Sequence, residues 1–338
     1  MIGHKLTSGP FLFENGERLE SIDIAYHTSH QSYDGKRGVV WICHALTANS
    51  DCEDWWPDMV GSGKLIDTDR YFVACVNMLG SAYGSSGPKS INPKTGKPYL
   101  LSFPQVTVRD MINASILVRK HLGVDKIDLL IGSSIGGFQS IEWAVMEPDV
   151  FKRALFIATE PRVTPWLTAS IETQRMALRA DPTFTACEDI HGGEEGLKCA
   201  RAQAMISYRC FQGYGLTQAE QDDDTLFADR AASYQRYQGE KIIRRGFDAY
   251  SYNSVSTSVI SNNVGRGRGG VAKALSTIKA DTTVVSIDTD GLFPPHHIEK
   301  WAAMIPGVHY LEITSNFGHD GFLLETAQLT EIISKLLP

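Results

Sequence analysis

Six cysteines, at positions 43, 52, 75, 187, 199 and 210, include no C-x-x-C pair, which removes zinc ribbons and thioredoxin-type redox sites from consideration. Basic residues are in deficit: 32 Lys and Arg against 39 Asp and Glu leave a formal net charge of −7. Nucleic acid and anionic membranes are therefore excluded as main partners. No apolar run approaches the roughly 18–20 residues that span a bilayer. Met1-Ile2-Gly3-His4-Lys5 leads into a polar segment without the apolar stretch of a signal peptide. Internal repeats, long low-complexity tracts and metal-ligand spacings are also missing, so no metal is expected. A soluble, cytoplasmic chain is the expectation.

What is present is an ordinary globular composition, 43% hydrophobic and 21% charged, in 338 residues. That length suits one large domain carrying an insertion. Short β-branched runs alternate with amphipathic segments, the signature of a mostly parallel sheet with helices on both faces. The clearest strands are Val39–Cys43, Phe72–Asn77, Ile127–Ile131, Ala154–Ala158, Thr283–Ile287 and Tyr310–Ile313. Ile22–His27 alternates and reads as an antiparallel edge. Helical spacing marks Val106–Leu122, Gly136–Glu147, His296–Ile305 and Thr326–Leu337. Cys43 and Cys75 fall inside strands, where a free Cys behaves as a small hydrophobe.

The strand–helix rhythm stops after Ala158 and resumes near Ala280. Between them lie helical patterns such as Thr168–Arg179, Gly196–Tyr208 and Asp224–Tyr237. We read residues 1–160 and 275–338 as a discontinuous α/β core and 161–274 as an inserted helical lid. An insertion there covers the C-terminal edge of the sheet, where α/β proteins bind ligands.

The run Lys126–Phe138 is a strand, a tight turn and a helix start, and it contains G-x-S-x-G as Gly132, Ser134 and Gly136. Glycines let strand and helix approach closely, and the serine between them is held with its hydroxyl exposed. Elsewhere such a pattern is an ordinary glycine turn; following a strand and opening a helix, it marks Ser134 as a nucleophile. The N-terminal N–H groups of the helix stabilise developing negative charge. A serine needs a base and the base an orienting carboxylate, in the chain order Ser, acid, His. Asp288 and Asp290 both follow Thr283–Ile287, and either serves at this level of reading. His319 lies in the loop after the last strand, at the correct sheet edge. His296 and His297 open a helix, and His309 precedes a strand at its wrong end. The oxyanion hole is expected from the backbone N–H groups of Ile135 and Leu46, the latter in the loop after Val39–Cys43. His44, in that loop, precedes the serine and reads as a loop-structuring residue.

The segments Cys43–Thr47, Trp55-Trp56, Gly61–Thr68, Asn77–Gly80, Gly84–Pro88, Gly132–Gln139, Ser207-Tyr208-Arg209, Ser233–Gln235, Phe247–Tyr252, Asp290–Pro294 and Gly318–Leu323 occur in one order over most of the chain. Together they resemble the homoserine O-acetyltransferase family, whose fold is the α/β-hydrolase fold, a mostly parallel sheet with an inserted helical lid. The resemblance implies transfer of acetyl from acetyl-CoA, as substrate rather than bound cofactor, to the hydroxyl of L-homoserine for methionine biosynthesis. The implied mechanism is ping-pong, through acetyl-Ser134 with His319 as base. It assigns the acid to Asp290 and implies that Asp320 holds the acceptor's ammonium and Arg209 its carboxylate. From its helical context alone, Arg209 reads as a solvated surface residue. The resemblance also implies a homodimer built through the lid helices, and Trp166, Leu167 and Met176 suit either lid packing or a dimer contact.

Alternatives stay open. Related enzymes take serine as acceptor or succinyl-CoA as donor, and an esterase or thioesterase would use the same triad with water. Gly265–Gly270 matches G-x-G-x-x-G but neither follows a strand nor opens a βαβ unit, so a dinucleotide site is not expected. It reads as a hinge, with Arg266 and Arg268 as candidates for meeting CoA phosphates. Gly61–Lys64 lacks the spacing of a P-loop.

Overall fold

The computed structural model describes residues 1–338. Eight strands form the main sheet: β1 (Ile2–Ser8), β2 (Ile22–Thr28), β3 (Val39–Cys43), β4 (Phe72–Val76), β5 (Ile127–Ser133), β6 (Phe151–Ile157), β7 (Asp281–Ile287) and β8 (His309–Ile313). Their spatial order is β1-β2-β4-β3-β5-β6-β7-β8. β2 pairs antiparallel with both β1 and β4, and every later pairing is parallel.

β3 and β4 are buried at every position because both of their faces are covered. Alternate residues divide between two cores: Trp41, Ala74, Leu130 and Phe156 face one side, and Ile42, Cys75, Ile131 and Ile157 the other. Helices α1 (Val108–His121) and α2 (Ile135–Met146) flank the first face. The start of α1 is written in its sequence. Thr107 accepts from the Asp110 N–H while the Asp110 carboxylate accepts from the Thr107 N–H, a capping box, and Arg119, Lys120 and His121 sit at the opposite, electronegative end.

After β6 the chain leaves the sheet for α3 (Pro165–Ala180), α4 (Glu194–Tyr208), α5 (Phe211–Gln218), α6 (Arg230–Arg244) and α7 (Ala249–Ile260). It returns through β7, α8 (Pro295–Ala302), β8 and α9 (Thr326–Ile333). Thr164 caps α3 and Pro165 opens it, an arrangement that satisfies one orphan N–H and dispenses with another. No helix is long and apolar enough to cross a membrane.

Three expectations are corrected. Ile22–His27 is antiparallel but not the edge, because β1 pairs outside it. β1 is largely exposed and polar, so it carries no alternating apolar signal. The helix expected at Asp224 begins at Arg230 instead, after a turn in which the Asp222 carboxylate accepts from the Asp224 N–H. Arg266 and Arg268 do not face the cavity lined by Ser134. Arg266 pairs with Glu14 at 2.7 Å and Arg268 with buried Glu142 at 2.6 Å, and Arg109 bridges both carboxylates at 2.9 Å. Gly267, Gly269 and Gly270 take positive φ, which lets the segment curl so that Arg266 reaches Glu14 and Arg268 reaches Glu142 on α2. The segment fastens the end of the helical connection between β6 and β7 to the core.

Candidate active site

Ser134 stands between β5 and α2 with φ 56° and ψ −127°, a conformation that L residues rarely hold. Surrounding contacts enforce it. The Ser134 N–H donates to the Ile157 carbonyl at 3.1 Å, and Thr159 Oγ1 donates to the Ser134 carbonyl at 2.8 Å. A Cβ on Gly132 would lie 2.2 Å from the Gly136 carbonyl oxygen, and one on Gly136 would lie 2.1 Å from that of Cys43. Both glycines of the motif are therefore required by sterics. Gly137, which the motif does not include, is pressed equally hard against Thr159.

His319 and Asp290 come together as the chain order implies. The His319 Nδ1–H donates to Asp290 Oδ2 at 2.8 Å, with both side chains buried. The N–H groups of Leu292 and Phe293 donate to Asp290 Oδ1 at 2.8 and 2.9 Å. Those bonds fix the carboxylate, which fixes the ring tautomer and leaves Nε2 free. Phe293, Phe322 and Tyr208 enclose the imidazole with centroids 5.1, 5.3 and 5.8 Å away. Asp288 accepts instead from the Ser315 N–H at 2.9 Å and braces the histidine loop. His297 and His309 lie beside Glu160 and Asp281, away from the serine.

Ser134 and His319 line one open cavity of about 430 Å³, together with Leu46 and Asp320. Ser134, Leu46 and Tyr208 also border a second, apolar cavity of about 20 Å³ closed by Ile135, Phe138, Ile171 and Leu292. The Leu46 N–H meets no acceptor in the protein, and that of Ile135, first in its helix, has no intrahelical one. His44 shapes the Leu46 loop. Its Nδ1–H donates to the Ala45 carbonyl at 2.9 Å and its Nε2 accepts from the Met78 N–H at 3.2 Å. Complete burial pushes the His44 pKa down to about 4, so the ring is neutral.

Arg209 ends α4 and does not line the 430 Å³ cavity. Its Nε lies 2.8 Å from Asp320 Oδ2, and its guanidinium covers the Phe317 ring at 5.6 Å. Burial raises the Asp320 carboxyl above the usual carboxylate range, against the opposing pull of Arg209, His319 and Arg201. Sequence reasoning missed Arg201, Lys241 and Arg245, which do line the cavity. A signal existed: Arg201 and Tyr208 lie two turns apart on α4, with the guanidinium 5.6 Å above the ring.

A strained serine on a strand-to-helix turn, a buried His–Asp pair from later loops and free N–H groups beside the serine define an α/β-hydrolase-fold enzyme. Residues 38–326 match the alpha/beta hydrolase fold family model. The homoserine O-acetyltransferase of Cyclobacterium marinum is 39% identical over 324 residues, covering 95% of this chain and 90% of that one. The chain belongs to the homoserine O-acetyltransferase family. Among solved structures, homoserine O-acetyltransferase from Bacillus anthracis superposes with a TM-score of 0.91 at 23% identity, over 99% of this chain and 97% of that one. Esterase E22 does so with 0.89 at 22% identity, over the full length of both. At that identity both likenesses speak to the fold.

Proposed function

We propose that this enzyme transfers acetyl from acetyl-CoA to the hydroxyl of L-homoserine through an acetyl-Ser134 intermediate. His319 Nε2 takes the proton as Ser134 Oγ attacks the thioester carbon. The oxyanion rests on the N–H groups of Leu46 and Ile135, collapse breaks the C–S bond, and His319 returns its proton to the CoA thiolate. The homoserine hydroxyl then gives its proton to His319 and attacks the acetyl-serine, and O-acetylhomoserine leaves as Ser134 is reprotonated.

The observation that carries the reading is the Arg209–Asp320 ion pair beside His319. An amino acid brings an ammonium and a carboxylate: Asp320, on the cavity wall, receives the ammonium, which frees Arg209 behind it to turn to the carboxylate. Water as acceptor has no use for either. The 20 Å³ cavity beside Ser134 has room for a methyl group and is bordered by no Lys or Arg, which favours acetyl over succinyl. Residues 161–274 act as the lid over this site in the cytoplasmic enzyme. Exposed Phe211, Leu216, Leu226 and Phe227 at the lid surface favour a homodimer formed there.

Mass spectrometry after exposure to acetyl-CoA without acceptor tests the mechanism. Acetyl on the Ser134 peptide is expected, and its absence would sink the transferase reading. Release of CoA with homoserine against serine, and from acetyl-CoA against succinyl-CoA, then fixes the substrates. Light scattering across concentration tests the dimer.

A further inference from the structure

The 430 Å³ cavity collects positive charge in a chain whose net charge is −7. Its cations are Arg201, Lys241 and Arg245, and its carboxylates are Asp54 and Asp320. Asp320 is engaged by Arg209 at 2.8 Å and Asp54 by Arg245 at 2.6 Å. Arg201 and Lys241 have aromatic neighbours, Tyr208 and Tyr237, and no carboxylate partner. Charges left unpaired inside a concave site favour an anionic occupant.

The cations fall into two places. Arg201 belongs to the inner end, its guanidinium over the Tyr208 ring, which stands 5.8 Å from that of His319. Lys241 and Arg245 lie one turn apart at the end of α6, Arg245 with its side chain 40% exposed and therefore at the mouth. Trp55 lines the same cavity, next in the chain to the Asp54 that Arg245 pairs with, stacked on Trp56 at 5.6 Å with the rings 8° from parallel, and held by its indole N–H donating to the Asn49 carbonyl at 2.9 Å. Two cations and a fixed indole in one cavity are what a nucleotide tail requires: charge for phosphates and a flat face for a purine.

Resting on the acetyl-CoA reading above, we propose that Lys241 and Arg245 hold the phosphates of the donor and Trp55 stacks its adenine, while Asp54 competes with the phosphates for Arg245. The thioester, at the other end of the pantetheine arm, then reaches Ser134 along the cavity. This replaces Arg266 and Arg268, whose charges are already spent on Glu14 and Glu142.

The test compares donors with and without the nucleotide: acetyl-CoA and S-acetyl-N-acetylcysteamine, each with homoserine. Lys241→Ala and Arg245→Ala are each expected to raise KM for acetyl-CoA about three- to ten-fold, as loss of a charge-assisted contact at a part-exposed site does. Their kinetics with the short thioester stay at the wild-type level, and their response to salt is weaker. Asp54→Asn is expected to lower KM for acetyl-CoA, an effect of opposite sign that general damage to the fold does not produce. Equal changes with both donors, or none with either, overturn the phosphate assignment. Wild-type enzyme acetylated by the short thioester but not by acetyl-CoA overturns the donor reading itself.

Discussion

Thr159 and Ser134 are joined across two strands: the Thr159 hydroxyl donates to the Ser134 carbonyl at 2.8 Å, from the first residue beyond Ala158, itself at φ 46°. A strained residue thus hangs from a neighbouring loop that is also strained. Thr159→Val keeps the shape and removes the donor. Stability is expected to fall by about 0.5–1.5 kcal/mol, the net worth of one hydrogen bond, since the Ser134 carbonyl still accepts from the N–H groups of Gly137 and Phe138, read as a lower Tm. The burst of Ser134 acetylation slows in the same variant, because the elbow loses its tether.

Asp290→Asn tests the orienting role of the acid. The two N–H donors from Leu292 and Phe293 still want an oxygen, so the amide oxygen stays with them and the amide nitrogen turns to His319. The ring then presents its lone pair at Nδ1 and carries its proton on Nε2, the wrong tautomer for a base. A fall in kcat of roughly 10³–10⁴-fold is expected, by analogy with the same exchange in serine proteases. Thermal stability should change far less than activity.

Arg209→Ala is expected to weaken acceptor use while leaving acetyl-enzyme formation nearly intact. Equal loss of both steps would refute its role. The pH profile adds a second readout. Asp320 must be ionised to hold an ammonium, and its pKa is raised by burial and held back by Arg209. Removing Arg209 raises it further, so the acid limb of kcat/KM for homoserine is expected to move to higher pH.

His44 makes the fold sensitive to mild acid. Its folded pKa, about 4, lies below the unfolded value of 6.5, so the unfolded chain binds the proton first. The stability this group provides is complete above pH 6.5 and is lost as pH falls from there toward 4. The full loss is on the order of 3 kcal/mol. Urea midpoints from pH 7 to pH 4.5 should fall in the wild type and fall less steeply in His44→Gln, which starts lower.

Glu142 is 2% exposed and accepts from Arg109 and Arg268. Glu142→Gln leaves Arg268 without a counter-charge while Arg109 keeps Glu14, with an expected loss of about 1–3 kcal/mol for these part-exposed guanidinium groups. KM for acetyl-CoA should be unchanged. A rise in that KM would return the lid-end arginines to the donor site.

The sheet and the buried histidine pair were legible because each is local. β3 is an unbroken apolar run and β5 is built around Leu129-Leu130-Ile131, and Ser134, Asp290 and His319 each follow a strand at the same edge. β1 was not legible, because its pairing with β2 is made by backbone groups that side chains do not report. Lys241 and Arg245 were hidden for another reason. On a helix whose exposed face is rich in charge, a cation facing a cavity looks the same as one facing water until tertiary packing separates them. Arg266 and Arg268 misled in reverse: arginines in a glycine loop resemble a phosphate site, and only the position of Glu14 and Glu142 decides otherwise.

The helical segment leaves the sheet after β6 and returns to it in β7, and those two strands are hydrogen-bonded neighbours. It is therefore the connection any parallel pair requires, grown large. Ser134 lies before that connection, and Asp290 and His319 lie after it. Lineages can lengthen, shorten or re-shape the connection without shifting the register of a single core strand. The reacting groups stay put while the choice of what meets them drifts, which makes this a chassis on which new acceptors are easier to acquire than new chemistry.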